Sequence, residues 1–250
     1  MRRTAQILAM LSMVCIVALT GRAGEDDAAA IIKKTSKAHF PKGLDTKKEG
    51  VRTKTKGTLH VQGLKLDFTQ EVSVHAPKFK EVMELDVMGK KIVVTSVYNG
   101  KTAWIRADDK DVKVTDEILA AFKDAAHGMA LMQGAFGNDK AVKYSLLGEV
   151  KVKGKAAIGV SVSKEGKKDI NLYFDKKTNL ITKVEMRTRD LMSGQEVTEE
   201  RYITEYQEVD GRKVAKKIEV LRDGKELLTA EVTEVQILEK IDASEFAQPK

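Results

Sequence analysis

The sequence contains few cysteine, proline and aromatic residues. The scarcity of the first two restricts the class of protein to which it can belong. Its single cysteine, Cys15, lies in an N-terminal apolar run, so the chain beyond residue 23 has no disulfide framework, thiolate nucleophile or cysteine-based metal site. Three prolines, and no long stretch rich in serine, proline or glycine, favour one domain over several joined by linkers. The stability of that domain must come from a packed core.

Sequence patterns of common catalytic sites are also missing. The chain contains no G-x-S-x-G, H-E-x-x-H, G-x-G-x-x-G or phosphate-binding P-loop pattern. Its four histidines lie far apart in sequence, and Asp108–Asp111 lacks the glycine and the distant glutamate of a calcium loop. We therefore expect no catalytic residue, no metal site and no cofactor, and an enzyme is the least favoured function.

The N-terminus has the pattern of a secretory signal peptide. Arg2 and Arg3 give a short positive region, an apolar run follows from Ile7 to Leu19, and small residues come next. The run is short for a membrane-spanning helix, so we expect residues 1–23 to be a signal peptide cleaved after Ala23. An uncleaved membrane anchor is the alternative.

The charge pattern argues against nucleic acid as a partner. Without the three arginines of the predicted signal peptide, the formal net charge falls from +7 to +4. Lysine and glutamate are interspersed rather than grouped in blocks, which is typical of the solvated faces of strands. A weak attraction to anionic membrane headgroups stays open.

Beyond the signal peptide, the sequence predicts one short helix and then many strands. Acidic residues at 25–27 and lysines at 33, 34 and 37 favour a helix from Asp26 to about Ala38. From Val51 onward, apolar and polar residues alternate with a period of two, as in half-buried antiparallel strands. Turn signals such as Asn99-Gly100, Asp210-Gly211 and Asp223-Gly224 separate the runs. We count about eleven strands.

A helical insertion interrupts the strands after the fifth one. Thr115 has the character of an N-cap. An apolar stripe with helical spacing follows it: Ile118, Phe122, Ala125, Met129 and Met132. Such a stripe either packs in the core or, because methionine adapts to different partners, covers an apolar cavity as a movable lid. Trp104, in the fifth strand, is open to the same two interpretations, core or pocket wall.

Several short motifs occur in the order found in a known family. They are Pro77-Lys78-Phe79-Lys80, Asn99-Gly100-x-x-x-Trp104, Leu172-Tyr173-Phe174-Asp175-x-x-Thr178-x-Leu180 and Ile241-Asp242-x-x-x-Phe246-x-x-Pro249. With the order of short helix, strands, helical insertion and further strands, the chain resembles the bacterial outer-membrane lipoprotein-sorting proteins, the LolA/LolB-like carriers.

The resemblance implies a fold, a location and a ligand. The fold is mainly β, a strongly curved antiparallel sheet that forms an unclosed barrel of about eleven strands with helical lids, over a single domain at residues 24–250. The location is the periplasm, and the partners are lipid or lipoprotein acyl chains and envelope or membrane proteins. The expected lipid-binding residues of the cavity and lid are Leu66, Phe68, Leu85, Trp104, Phe122, Met129 and Met132. Arg52 is the positional candidate for the functional arginine of the family.

Two functions stay open at this point. The first is a periplasmic carrier or binder of lipid or lipoprotein acyl chains in outer-membrane lipoprotein sorting. The second is an envelope interaction or sensor module with the same fold and a filled core. The period-two alternation predicts Phe68, Leu85, Ile158 and Phe174 on the concave side of the sheet. A cavity between the sheet and the inserted helix favours the first, and a solid core favours the second.

Overall fold

The structure is a computed structural model that describes residues 20–43, 49–61, 63–132, 141–189 and 195–249. Most of the predicted signal peptide, residues 1–19, lies outside the described residues. The two α-helices in the described part are α1 (Thr20–His39) and α2 (Asp116–Met132), and a 3-10 helix covers Ala243–Phe246. The strands are β1 (Gly50–Val61), β2 (Leu64–His75), β3 (Lys78–Val87), β4 (Lys90–Tyr98), β5 (Ala103–Ala107), β6 (Lys110–Val112), β7 (Val142–Val152), β8 (Lys155–Lys164), β9 (Ile170–Asp175), β10 (Ile181–Arg189), β11 (Glu196–Val209), β12 (Arg212–Arg222) and β13 (Lys225–Leu238).

These strands form one antiparallel sheet in the order β6-β5-β4-β3-β2-β1-β13-β12-β11-β10-β9-β8-β7. The chain runs from β1 in the middle to β6 at one edge, crosses to β7 at the other edge, and returns strand by strand to β13, which pairs with β1. Within the described residues β6 and β7 do not pair with each other, so the sheet is not closed. The predicted open antiparallel architecture is confirmed.

The sheet has two more strands than the sequence predicts. The additional strands are β6, which has only three residues, and β7, which is the other edge of the sheet. In β7 the pairing with β8 shifts between Leu146 and Gly148, and both Leu146 and Leu147 are exposed. A bulge in an edge strand breaks the period of two that identifies the inner strands.

The turns follow the sequence signals in two cases and differ in a third. Asp210-Gly211 and Asp223-Gly224 have positive φ at both residues, which is the geometry of a tight two-residue hairpin. At Asn99-Gly100 only the glycine has a positive φ, and the loop is longer. The Asn99 side-chain oxygen accepts hydrogen bonds from the backbone N–H groups of Lys101 and Thr102, at 2.9 and 2.8 Å. This side chain closes the loop without left-handed geometry of its own.

Both helices pack on one face of the sheet, which we call the inner face. The predicted concave residues lie there in register: Phe68 pairs with Leu85, and Ile158 pairs with Phe174. Phe68 and Phe174 are buried, and Leu85 and Ile158 are half-buried. The opposite, outer face carries the 3-10 helix, where Phe246 and Ile241 pack against Val97.

Curvature brings distant strands together on the inner face. β3 and β11 are separated by four strands in the sheet order. Nevertheless, helix α2 contacts both halves of the sheet, since Phe122 packs in a cluster with Phe79 of β3 and Leu131 packs in the cluster of β8–β11. The two walls therefore face each other across a groove, as in a coiled sheet that approaches a barrel.

Candidate functional site: the groove on the inner face

Helix α2 lies over the groove and contacts both walls. In the chain it stands between β6 at one edge of the sheet and β7 at the opposite edge. Phe122 and Ala126 pack against Phe79 and Tyr98 of one wall, and Leu131 packs in the cluster of β8–β11 on the other wall. The inserted helix thus covers part of the groove, with Ala126 rather than the predicted Ala125 on its buried side.

Aromatic contacts hold α2 on its first wall. The rings of Phe122 and Phe79 are stacked with centroids 5.5 Å apart and an interplanar angle of 16°. Tyr98 completes the group, at 5.9 Å from Phe79 and 6.5 Å from Phe122. At the helix start the predicted cap is confirmed, since the Ile118 N–H donates to the Thr115 hydroxyl at 3.4 Å.

Helix α1 covers a second part of the groove. It begins at Thr20, six residues earlier than the sequence predicts, and ends at His39. Ala28 and Ile32 pack in a buried cluster with Leu172, Phe174 and other residues of β8–β11. The largest apolar cluster of the described residues is therefore completed by α1, through Ala28 and Ile32, which come after the predicted cleavage point.

A cavity of about 120 Å³ lies beneath the C-terminal end of α1, and we call it the α1 pocket. Its walls are mostly apolar and come from the end of α1 and from β1 and β10–β13. An ion pair between Glu49 and Arg212, 2.6 Å apart, also borders it. The main lining side chains are His39, Phe40, Val51, Ile181, Ile203, Tyr206, Ala215, Val235 and Ile237.

His39 attaches the end of α1 to two strands. Its Nδ1–H donates to the Lys213 carbonyl oxygen at 3.0 Å, and its Nε2 accepts from the Ile181 N–H at 3.2 Å. One donor and one acceptor require the neutral imidazole, in the tautomer with the proton on Nδ1. Burial lowers the pKa of His39, against a smaller opposite effect of the bond to Lys213, so the neutral form is favoured.

Tyr206 adds a polar group to the same pocket. Its hydroxyl donates to the Ile181 carbonyl oxygen at 2.6 Å, and burial raises the pKa of the phenol. The hydroxyl therefore stays protonated, and Ile181 is fixed through its N–H by His39 and through its carbonyl by Tyr206. Apart from these groups and the Glu49–Arg212 ion pair, the pocket walls are mostly apolar.

A second group of polar side chains crosses the inner face away from the helices. On β2 and β3, the Gln70 amide donates to Glu81 at 2.8 Å, and burial raises the pKa of Glu81. On β11 and β12, the buried Glu199 carboxylate accepts from Arg201 and Arg222 at 3.2 Å each. These five residues form the inner polar band.

The structure does not bring the seven predicted lipid-binding residues together. Phe122 and Met129 belong to the α2 cluster, while the side chain of Met132 lies outside the described residues. Phe68, Leu66 and Leu85 are on the inner face but outside the α2 cluster. The nearest residue of that cluster on β2 is Val72, four residues or roughly 13 Å along the strand from Phe68.

Two further expectations are corrected by the face on which the side chains lie. Trp104 pairs with Val97 of β4, and paired residues of neighbouring strands project from the same face. Because Val97 is on the outer face, Trp104 packs there against the cluster of Val97 and Phe246. Arg52 is also on the outer face, where its guanidinium binds both carboxylate oxygens of Glu245 at 2.7 and 2.8 Å. Neither side chain reaches the groove.

Sequence analysis missed the α1 pocket and its residues. None of the seven predicted residues lines it. Its walls meet because β1 pairs with β13, a contact across the whole chain that no local pattern reveals. The one available signal was His39-Phe40, a histidine and an aromatic residue directly after the predicted first helix.

In the part of the chain that the structure describes, no helix combines the length and apolar character needed to span a membrane. Nor do those residues contain a group of three or more histidine, cysteine, aspartate or glutamate side chains placed to hold a metal ion.

No family model matches the chain, and no curated protein matches it in sequence. Solved structures similar in fold include the following three. A LolA superfamily protein from Nitrosomonas europaea superposes with a TM-score of 0.53 at 9% identity, over 88% of this chain and 97% of that one. The chain has a LolA-like fold. A domain described as outer membrane lipoprotein-sorting from Vibrio parahaemolyticus gives 0.51 at 10% identity, over 89% and 97% of the two chains.

The third structure is a DUF1329 family protein from Desulfovibrio piger, with a TM-score of 0.52 at 15% identity over 90% of this chain and 97% of that one. At such identities the similarity concerns the fold alone.

Proposed function

We propose that this protein is an exported, periplasmic carrier or binder of lipid or lipoprotein acyl chains, of the kind used in outer-membrane lipoprotein sorting. The observation that carries the proposal is the α1 pocket, a mostly apolar cavity on the inner face of a LolA-like sheet, bordered by the end of a helix. Support also comes from the predicted signal peptide and from the neighbouring structures with sorting or LolA names. The function needs no catalytic residue.

The size of the pocket defines how an acyl chain is bound. A dry cavity of about 150 Å³ accepts a benzene-sized ligand, so 120 Å³ accepts only the end of an acyl chain. A longer chain must displace a covering helix. We place this opening at the end of α1, where His39 and Phe40 line the pocket, because the stacked rings of Phe79 and Phe122 hold α2.

The energetics permit reversible binding. Burial of about ten methylene groups stabilises a complex by roughly 8 kcal/mol, which corresponds to a Kd on the order of 1 µM before the costs of moving the helix. The proposed binding residues are the pocket side chains together with Phe68, Leu66 and Leu85 further along the groove. Phe122 and Met129 of α2, with Met132, keep their proposed role as cover.

The experiment that tests the proposal fills the pocket. Val235→Phe adds a ring inside the cavity and Val93→Phe adds the same ring on the exposed side of β4. Displacement of a fluorescent fatty acid should show micromolar binding by the parent and by Val93→Phe. Binding by Val235→Phe should be weaker by about tenfold or more. Denaturant unfolding confirms that each variant folds. Equal binding by both variants would move the site away from the α1 pocket.

A second candidate function is an envelope interaction or sensor module with a filled core. The observation that favours it is that both helices are packed: Ile32 of α1 and Phe122 of α2 are each less than 10% exposed. This candidate predicts no displacement by any acyl ligand in the parent protein, together with a large loss of stability when either helix is altered.

A further inference from the structure

The hydrogen bonds of His39 make the end of α1 sensitive to protonation. The imidazole joins α1 to two strands: its Nδ1–H donates to the Lys213 carbonyl oxygen at 3.0 Å, and its Nε2 accepts from the Ile181 N–H at 3.2 Å. An imidazolium carries a proton on both nitrogens and accepts no hydrogen bond. Protonation therefore removes the bond to Ile181 and sets two N–H groups against each other.

The apolar surroundings of the ring oppose a positive charge. His39 is only 5% exposed, and the Tyr206 ring meets it edge-on with the centroids 5.4 Å apart. The residues that β1, β10 and β13 contribute to the α1 pocket do not titrate: Val51, Ile181, Val235 and Ile237. A buried charge among such groups costs free energy.

The charged groups that border the pocket do not favour an imidazolium either. Glu49 binds Arg212 at 2.6 Å, and Lys213 of β12 binds Glu208 of β11 at 2.8 Å. Exposed lysines lie near His39 in the chain: Lys37 and Lys42. Each of the two carboxylates already binds a cation, and the cations oppose a further positive charge. The closed end of α1 thus requires neutral His39.

Entry of a long acyl chain changes these surroundings. In the proposed function, a chain longer than the pocket displaces the end of α1, which moves the imidazole from its two hydrogen bonds into water. Burial lowers the pKa of His39 in the closed form, whereas in water the pKa returns to its ordinary value of about 6.5. Below pH 6.5 the open form therefore gains stability relative to the closed form, until the pKa of the closed form is reached.

We propose that protonation of His39 opens the α1 pocket, because the imidazolium releases the end of α1 and admits long acyl chains. We call this the His39 switch. It rests on the proposed function, since it regulates the same pocket. The apparent affinity of a ligand rises with the fraction of protein in the binding-competent form. Long-chain ligands thus bind more tightly in mild acid, whereas acid unfolding would weaken their binding.

The direct test follows the imidazole by NMR. The pKa of His39 is measured from its ring proton shifts in the free protein and in the complex with dodecanol, a ligand whose headgroup does not titrate. The pKa should lie below 6.5 in the free protein and rise toward 6.5 in the complex. A pKa that keeps its free-protein value when dodecanol is bound would overturn the His39 switch.

The affinity for dodecanol gives a second measurement. Equilibrium dialysis should show tighter binding by the parent at pH 5.5 than at pH 7.5, by up to about tenfold, since pH 5.5 is one unit below the ordinary pKa. His39→Gln should bind dodecanol with the same affinity at both pH values. His60→Gln is the matched control, because this histidine of β1 is outside the pocket, and it should keep the pH dependence of the parent.

The outcomes distinguish the two proposals. Dodecanol binding by the parent that is equally strong at both pH values overturns the His39 switch and leaves the acyl carrier in place. No binding of dodecanol at either pH overturns the carrier and the switch together. If His39→Gln does not fold, the pKa of His39 in the free and bound parent protein decides the question.

Discussion

Replacement of Phe122 by alanine tests how α2 is held on the sheet. The ring is 8% exposed and stacks on Phe79 at 5.5 Å, with Tyr98 as a further neighbour. A buried phenylalanine replaced by alanine costs about 3–5 kcal/mol, from lost transfer free energy and the cavity left behind. Within this loss, the aromatic pair of Phe122 and Phe79 contributes roughly 0.5–1.5 kcal/mol in addition to the burial of apolar surface. We therefore expect Phe122→Ala to lower the free energy of unfolding by at least about 3 kcal/mol.

Denaturant unfolding of a double-mutant cycle measures both the total loss caused by Phe122→Ala and the interaction energy of the pair with Phe79. Phe122→Ala and Phe79→Ala should be non-additive by the pair energy, since the two rings are in contact. Phe122→Ala combined with Phe246→Ala is the matched control, because Phe246 is as buried but packs on the outer face. A loss below about 1 kcal/mol for Phe122→Ala would refute this reasoning and indicate that α2 is a loosely held lid.

Two further predictions concern the other attachments of the fold. Burial lowers the pKa of His39 in the folded protein, so the unfolded chain takes up the proton first as the pH falls below about 6.5. The free energy of unfolding should therefore drop by up to about 1.4 kcal/mol per pH unit until the folded-state pKa is reached. Thermal unfolding of His39→Gln from neutral to acidic pH should lack this pH-dependent loss, and a pH profile equal to that of the parent would contradict the prediction. On the outer face, Glu245→Ala removes the carboxylate that Arg52 binds at 2.7 Å and should cost about 1–3 kcal/mol of unfolding free energy. Replacement of the exposed Glu239 by alanine is the control and should cost almost nothing. Equal effects of the two substitutions would show that the Arg52–Glu245 ion pair does not hold the 3-10 helix.

The period-two pattern predicted most of the sheet, because one face of each inner strand is buried against helices or the opposite wall. The alternation that includes Phe68 and Leu85 is the same alternation that the pairing of β2 with β3 uses. It failed at β7, where Leu146, Leu147 and the bulge at Gly148 leave no regular pattern on an edge strand. Apolar and polar residues alternate along a strand when one of its faces is buried, and an edge strand buries less of its surface than an inner strand.

The site was less predictable than the fold. Ala103, Trp104 and Ile105 are consecutive apolar residues, so the sequence does not indicate which face Trp104 takes, and only the register with Val97 decides it. The α1 pocket depends on β1 pairing with β13 and on where α1 ends, both of which are long-range outcomes of chain packing. The stripe on α2 was predictable, because helical spacing alone identifies Phe122.

The central claim, that the groove holds acyl chains, is tested most directly by identifying what the protein carries from its native compartment. Organic extracts of natively purified parent protein, Val93→Phe and Val235→Phe are compared by mass spectrometry, with the outer-face variant as the matched control. The account predicts acyl-bearing molecules, near one per protein, from the parent and Val93→Phe and a strongly reduced amount from Val235→Phe. Equal amounts from all three proteins, or no acyl-bearing molecule from the parent, would contradict it.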